Sequence, residues 1–286
     1  HTWSLTRKYF GAINNVFQQL ILIEFNDIRK FIFTSWPIWL MTLLHTASAT
    51  LAFICIGMNL GFSDVAGYAL IFSLTSMVFT FPNRLEDYFY TYLARFNKQS
   101  KADFSNKYFQ YQEIYVVLCA IPMIAWLAAA PFIIPIIFGE QYSLYLNLCN
   151  FFSVFFVLKS LSFIRRVFYI KNISQNLLKL AIIRYMFEYS GYILFTPIFG
   201  LKGVLYALVC SQFIFTILLF KQAIPYLNNS IKNALPTIVW FVIFLIAVLM
   251  ISLCDKYNFL LGYWLIILAT LLLYFIKLFK ISKDGQ

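Results

Sequence analysis

The chain has 286 residues, of which 62% are hydrophobic and only 12% are charged, and its mean hydropathy is +0.79. This composition excludes an ordinary soluble globular domain. The formal net charge at pH 7 is +11, which by itself would also fit a protein that binds RNA or DNA. The distribution of the basic residues along the chain decides between these interpretations.

Eight apolar runs follow one another along the chain, and each is near the ~20 residues that a helix needs to cross a bilayer. They cover residues 34–56, 65–82, 114–137, 144–164, 177–199, 203–220, 235–253 and 258–276. The sequence therefore predicts an all-α integral membrane protein with about eight transmembrane helices. We divide the chain into a leading segment, 1–33, a six-helix lobe, 34–220, and two further helices with a tail, 221–286.

Lysine and arginine fall almost entirely in alternate gaps between these runs. One set of gaps and flanks holds Arg7, Lys8, Arg29, Lys30, Arg84, Arg95, Lys98, Lys101, Lys107, Arg165, Arg166, Lys171, Lys179, Lys221, Lys232, Lys277, Lys280 and Lys283. The opposite gaps hold only Lys202 and Lys256. Because cytoplasmic loops retain basic residues, we expect a multi-pass protein of the inner (plasma) membrane with both termini of this chain in the cytoplasm. This topology accounts for the net charge without a nucleic acid partner.

Two segments on the predicted cytoplasmic side combine charged and apolar residues. Residues 12–33 carry apolar side chains at helical spacing, which predicts a helix on the membrane surface. Residues 83–113 are expected to extend the second apolar helix and return. Arg84, Arg95 and Lys98 would there meet anionic headgroups. A solvated helical hairpin and a role in substrate admission both fit this segment.

Three prolines, Pro122, Pro131 and Pro135, interrupt the third apolar run. Each removes a backbone donor and disfavours a straight helix, a departure that neighbouring segments can compensate in a membrane. The prolines predict either kinks that serve packing alone or a bend that is used in gating.

The end of this run carries a family resemblance. The segment Pro131-Phe-Ile-Ile-Pro135-Ile-Ile-Phe138-Gly139-Glu140-Gln141-Tyr142 resembles the end of a helix in polysaccharide flippases. These belong to the multidrug/oligosaccharidyl-lipid/polysaccharide (MOP) superfamily, which includes the O-antigen flippases. The order of the other motifs is also similar: a proline-initiated first helix at Ser35-Trp36-Pro37, then Gly67-Tyr68-Ala69 and Gly200-Leu-Lys-Gly203.

The resemblance implies a transporter with two helical lobes that face each other across a central cavity. Such a transporter moves a lipid-linked oligosaccharide of the polyprenyl-diphosphate type from the inner to the outer leaflet by alternating access. The chain corresponds to the second half of the usual helix set, so we expect a fragment or split half that supplies the C-terminal lobe. Its partners would be the N-terminal lobe, the lipid-linked oligosaccharide and membrane lipids, and no cofactor is implied.

Ionisable residues inside apolar runs are rare, and by default each is a functional hypothesis. Lys159 lies in the fourth run, and Arg184 and Glu188 lie one helical turn apart in the fifth, so they share a face. Three tyrosines flank this face: Tyr185, Tyr189 and Tyr192. We expect the two cations to bind the lipid diphosphate and the tyrosines to line the cavity against the sugar. Snorkelling of the cations to the nearby cytoplasmic boundary is the alternative.

One histidine, His45, lies within the first run. It shares a face with Thr42, Thr46 and Ala49. His45 can titrate near neutral pH, as proton coupling requires, or simply hydrogen-bond a neighbouring helix. No acidic residue occurs between Asp27 and Asp64, which argues against carrying an ion-coupling mechanism over from the family.

Two other function classes compete with the flippase. A multidrug exporter of the same superfamily would share the architecture and differ in the cavity lining, where acidic residues would favour cationic drugs. A membrane-embedded polysaccharide polymerase or ligase would need a nucleophile or general base on a sizeable loop. The sequence contains no GxSxG, HExxH, Walker A or DxD motif, and its predicted outer loops are short, so we expect no catalysis. With two histidines and no CxxC pair, no metal site is expected either.

Overall fold

The computed structural model describes the backbone of residues 25–98, 100–227, 231–256 and 260–284. Over these ranges 96% of the residues are helical and no strand is present. The all-α membrane fold that the sequence predicts is therefore confirmed. Residues 1–24, which include most of the predicted surface helix, lie outside the described residues.

Nine α-helices follow one another in the described ranges. They are α1 (Phe25–Asn59), α2 (Phe62–Arg95), α3 (Lys101–Phe138), α4 (Asn147–Leu161), α5 (Arg165–Ile170), α6 (Ser174–Phe199), α7 (Leu201–Ala223), α8 (Ile231–Lys256) and α9 (Leu260–Asp284). Short 3₁₀ helices join several of them: Phe96–Lys98, Glu140–Tyr145, Ser162–Ile164 and Ile224–Tyr226. The 3₁₀ turn after α4 continues directly into α5, so α4 and α5 form one rod.

Six described stretches are long and apolar enough to cross a membrane. They are Ser35–Asn59, Phe62–Lys98, Lys101–Phe138, Asn147–Ile170, Leu201–Tyr226 and Ala234–Leu253. The chain is thus a multi-pass membrane protein, and the count of eight spans remains a prediction. Helix α6 has 26 residues but is not among these six stretches. Arg184, Glu188 and its tyrosines lower its mean hydropathy. In α9 the apolar stretch is the shorter Leu265–Lys277.

The helix bounds differ from the sequence expectation at the start of α1. Helix α1 already includes Phe25, so Pro37 lies inside it and the prediction that this proline initiates the helix was wrong. The predicted hairpin over residues 83–113 is confirmed, because α2 extends to Arg95 and α3 returns from Lys101. Helix α3 continues through its three prolines as one 38-residue element.

The helices pack in an order that differs from their order along the chain. Helix α6 packs most extensively on α7 and then on α1, while α7 packs on α4 and α4 packs on α3 and α2. Helices α8 and α9 pack against each other and against α3. Buried positions of α2 recur every three or four residues: Gly67, Tyr68, Ile71, Thr75, Phe79, Pro82, Glu86, Phe89 and Leu93. This spacing places one face of α2 against α3 and α4.

The two ends of the bundle differ in character. At one end, which we call the glycine end, Gly61, Gly139 and Gly200 adopt positive φ values of 113°, 100° and 61° and allow tight reversals after α1, α3 and α6. The opposite end, the basic end, carries Arg84, Arg95, Lys98, Arg165, Arg166, Lys171, Lys179 and Lys221. The first three of these are exposed there, as the sequence predicts.

Candidate functional site

The polar face of α6 points into the bundle because α6 and α7 approach each other at small residues. A Cβ added to Gly191 would lie 2.6 Å from the Ala207 Cβ, and one added to Gly203 would lie 2.2 Å from the Phe195 carbonyl oxygen. Backbones that cross this closely leave no room for larger side chains. Glu188 lies one turn from Gly191 toward the basic end, so the crossing brings its side chain close to α7.

Glu188 is the centre of a buried hydrogen-bonded cluster that joins three helices. Its side chain is 1% exposed. Its carboxylate accepts hydrogen bonds from Tyr192 Oη at 2.9 Å and from Ser211 Oγ at 3.0 Å. Arg184 Nε donates at 3.2 Å, which confirms the i,i+4 pair, and the Ser48 hydroxyl of α1 donates as well. Four donors on α1, α6 and α7 therefore satisfy one carboxylate.

The guanidinium of Arg184 is hydrogen-bonded on one side only. Its side chain is 9% exposed, and its Cζ lies 4.9 Å from the ring centroid of Tyr185 and 5.4 Å from that of Phe215. Within the described part of the chain, only Nε has a hydrogen-bond partner, Glu188. The two terminal Nη groups are the donors that a planar anion would use bidentately.

Lys159 lies outside the hydrogen-bonded cluster. Its ammonium sits 6.0 Å from the ring centroids of Phe79 and Phe156, and the residue is half-buried. No carboxylate of the described residues lies within 4.0 Å of it. Lys159 is thus a cation at membrane depth whose described neighbours are aromatic rings rather than an acid.

His45 projects from α1 toward the same region. Its ring centroid lies 6.4 Å from that of Tyr185. The imidazole is exposed and has no recorded hydrogen bond within the described ranges. The sequence-based alternatives, proton coupling and a structural hydrogen bond, both remain predictions.

The three basic side chains lie at similar distances from the glycine end when these are counted along their helices. At 1.5 Å per residue, Arg184, His45 and Lys159 are about 22, 21 and 18 Å from the glycine-end termini of their helices. We call His45, Lys159 and Arg184 the basic layer. They come from α1, α4 and α6, which are distant in sequence, so the layer is a product of the fold.

The predicted cavity-lining tyrosines fall into two groups. Tyr192 is 1% exposed and its hydroxyl is committed to Glu188. Tyr189 donates to the Leu44 carbonyl oxygen at 2.7 Å. Both therefore fasten α6 to its surroundings. Tyr185 is also buried, at 5% exposed, and lies between His45 and Arg184, and its predicted role in lining a cavity stays a prediction.

A row of hydroxyl groups borders the basic layer on α1. Thr42, Thr46 and Thr50 are exposed, and each donates to the carbonyl oxygen four residues earlier at 3.1 Å. We call these three residues the threonine row. Together with His45 they give α1 a polar strip, and no described helix covers it.

Sequence reasoning missed the second buried carboxylate, Glu86. Arg165 reaches it with Nε and Nη2 at 3.0 and 2.7 Å, Arg166 with Nε at 2.7 Å, and Tyr115 Oη donates at 3.2 Å. Arg166 also pairs with the exposed Asp87 at 2.6 Å. The signal was available, because Glu86 continues the three-or-four-residue spacing of the buried face of α2.

Comparison with known proteins leaves the family open. No protein-family model matches the chain, and neither does any curated protein. The flippase resemblance therefore remains a prediction from sequence motifs. The description of the site does not depend on it.

Proposed function

We propose that the chain forms one lobe of a membrane transporter that moves a lipid-linked oligosaccharide across the bilayer by alternating access. The observation that carries the proposal is the basic layer, with His45, Lys159 and Arg184 at one level. A charge at membrane depth costs about 3 kcal/mol even on the most lenient scale, so it is retained where it faces water or a ligand.

The charge balance of the layer favours an anionic ligand. Glu188 neutralises one cation and accepts from four donors, which leaves no strong acceptor for a cationic drug. Arg184 and Lys159 together outweigh it by one positive charge. A lipid diphosphate matches this excess, since Arg binds phosphate bidentately and Lys binds it as a point charge.

The local geometry also favours recognition of a phosphate by Arg184. Glu188 holds Nε, and the rings of Tyr185 and Phe215 lie against the guanidinium. A guanidinium that is already positioned loses little rotamer freedom when it binds. Its Nη groups are then the contacts that an incoming diphosphate would make.

The threonine row suits the glycan portion of the same substrate. Hydroxyl groups that already donate to their own helix still offer acceptor lone pairs to sugar hydroxyls. A polar strip at membrane depth is also expected where a second lobe faces this one across water. In this proposal the chain lies in the inner (plasma) membrane with its basic end facing the cytoplasm, because basic loops are retained on that side.

No specific observation favours the other function classes. A drug exporter would need an available carboxylate in the layer, and Glu188 is engaged. For a polymerase or ligase, the described carboxylates at the glycine end are already hydrogen-bonded, Asp64 by Tyr145 at 3.0 Å and Glu140 by Ser143 at 3.1 Å.

Export of a lipid-linked oligosaccharide in cells that lack their own flippase tests the proposal. The chain is expressed with its adjoining coding sequence, and surface polysaccharide is measured against the amount of protein in the membrane. We expect rescue, with Arg184→Ala reducing export at least tenfold at unchanged protein level. Lys179→Ala is the matched control, since Lys179 is an exposed cation at the basic end of the same helix. Absence of rescue with every glycan tested would refute the flippase assignment.

A further inference from the structure

A large apolar cleft lies between α3, α7 and α8, away from the basic layer. Its volume is about 580 Å³. Phenylalanines from all three helices line it, Phe109, Phe213, Phe220 and Phe241. Ligand-binding pockets in proteins usually have volumes of about 300–1,000 Å³. The cleft is thus a gap between the α8–α9 pair and the rest of the bundle.

The cleft opens at the side of the bundle. Ile217 and Ile238 line it and are about half exposed, so its edge meets the bilayer. Along α7 it extends from Ile224 near the basic end to Phe213, about 16 Å at 1.5 Å per residue. Half of a ~30 Å hydrocarbon layer is ~15 Å. The depth therefore matches a single acyl chain that enters from the leaflet at the basic end.

The described lining of the cleft is apolar apart from Gln112, Thr216 and Thr237. A flexible hydrocarbon chain is the apolar ligand that the surrounding bilayer itself supplies to such a cleft.

A buried hydroxyl in the cleft lacks a hydrogen-bond partner. Thr237 is a lining residue that is 3% exposed, and its Oγ1 has no hydrogen-bond partner among the described residues. The other polar lining residues are engaged: Gln112 donates to the Ser160 carbonyl oxygen at 3.1 Å, and Thr216 to that of Gln212 at 2.9 Å. Because a buried hydroxyl without a partner costs about 1–3 kcal/mol, Thr237 points to an acceptor on a ligand.

The position of Thr237 identifies that acceptor. Among the described residues the apolar span of α8 begins at Ala234. Thr237 therefore lies about 4–5 Å from that end of the span, close to the boundary where the ester groups of a phospholipid lie. Lys221, in the last turn of α7, is exposed at the same end of the cleft and has no ion pair with the described residues. A cation at the headgroup level favours an anionic lipid.

We propose that the cleft binds one acyl chain of an anionic glycerophospholipid from the leaflet at the basic end. Thr237 donates to an ester carbonyl of this lipid, and Lys221 contacts its phosphate. The lipid is a resident component that seals α8 against α7, and it is distinct from any transported substrate. This site does not depend on the proposed transport function.

Native mass spectrometry of the purified full chain tests this site. The protein is equilibrated with mixed micelles that contain equal amounts of phosphatidylglycerol and phosphatidylcholine, and the retained lipids are counted. We expect one retained phosphatidylglycerol. Ala234→Phe fills the mouth of the cleft and should abolish retention, and Thr237→Val should weaken it about fivefold. Ala269→Phe on the exposed side of α9 is the matched control and should retain the lipid.

Each alternative result overturns the proposal. Equal retention of both lipids contradicts the role of Lys221, and equal retention by wild type and Thr237→Val contradicts the hydrogen bond. Preferred retention of an added polyprenyl phosphate would assign the cleft to a carrier lipid instead. Circular dichroism checks folding, and because Thr237→Val preserves side-chain shape, the test stands even where Ala234→Phe reduces helicity.

Discussion

Two buried carboxylates organise this bundle, and their partners differ in charge. Glu86 accepts from two arginines, and one of these also binds Asp87, so two acids balance two bases at the basic end. Glu188 accepts from one arginine and three neutral hydroxyls, although Lys159 and His45 lie in the same region. Each cluster is neutral by itself, but the second adjoins the basic layer, where no carboxylate of the described residues lies within 4.0 Å of Lys159.

The difference separates a structural joint from a site that can receive a ligand. Arg165 uses both Nε and Nη2 on Glu86, which links α2 to α5 with bidentate geometry. Arg184 uses Nε alone on Glu188 and leaves its terminal nitrogens to whatever enters the layer. A neutral cluster gains nothing from an added anion, but a cationic layer does. The variants below test this distinction.

The largest effect is expected at the neutral joint. Glu86→Ala leaves two arginines without their shared carboxylate and should lower stability by about 3 kcal/mol, the lower end for a broken buried pair because both arginines are partly exposed. Thermal unfolding in detergent micelles measures this loss.

The neighbouring Asp87→Ala provides the control for that variant. Asp87 pairs with the same Arg166, but its side chain is 60% exposed, so its removal should cost less than about 1 kcal/mol. Equal losses for the two variants would show that burial does not distinguish the joint.

A substitution of Lys159 tests whether the basic layer binds an anion through its positive charge. Lys159→Gln should weaken binding of a polyprenyl diphosphate about tenfold, since it removes the unpaired charge of the layer while preserving much of the side chain. Thermophoresis in detergent micelles measures the affinity, and the melting temperature should hardly change.

A surface cation supplies the comparison for this binding experiment. Lys179→Gln removes an exposed charge near the basic end of α6, and its small effect should vanish at high salt because exposed charges are screened. If both variants weaken binding equally and salt removes both effects, the layer has no special affinity for anions.

The contrast between the clusters also shows what sequence reasoning can reach. Apolar runs and alternating basic gaps predicted the membrane helices, and the spacing of Arg184 and Glu188 predicted their ion pair, because both patterns are local. The donors Ser48 and Ser211 are 140 and 23 residues from Glu188. Their contacts depend on how α1 and α7 pack on α6, which helical periodicity does not specify.

Glu86 illustrates a different limit. The density of positive charge near it suggested a solvated surface, although its buried-face spacing was visible in the sequence. The local charge predicted an exposed Glu86, whereas the helical periodicity predicted a buried one. The structure agrees with the periodicity. Lys159, by contrast, was found from its place inside an apolar run alone, and the structure adds the level that it shares with His45 and Arg184.

The smallest effect is expected at Ser48, the donor that joins α1 to the Glu188 cluster. Ser48→Ala removes one of four hydrogen bonds and should lower stability by about 1 kcal/mol, since the carboxylate keeps three donors. Ser76→Ala, whose hydroxyl bonds only to the Ser73 carbonyl oxygen of its own helix, should have almost no effect. Thermal unfolding of both variants measures the difference. A double variant, Ser48→Ala with Glu188→Gln, should lose less than the two single variants combined, because both act on one interaction. Strict additivity would mean that the hydrogen bond from Ser48 to Glu188 contributes nothing, and α1 would then be held on α6 by packing and by the bond from Tyr189 to the Leu44 carbonyl oxygen.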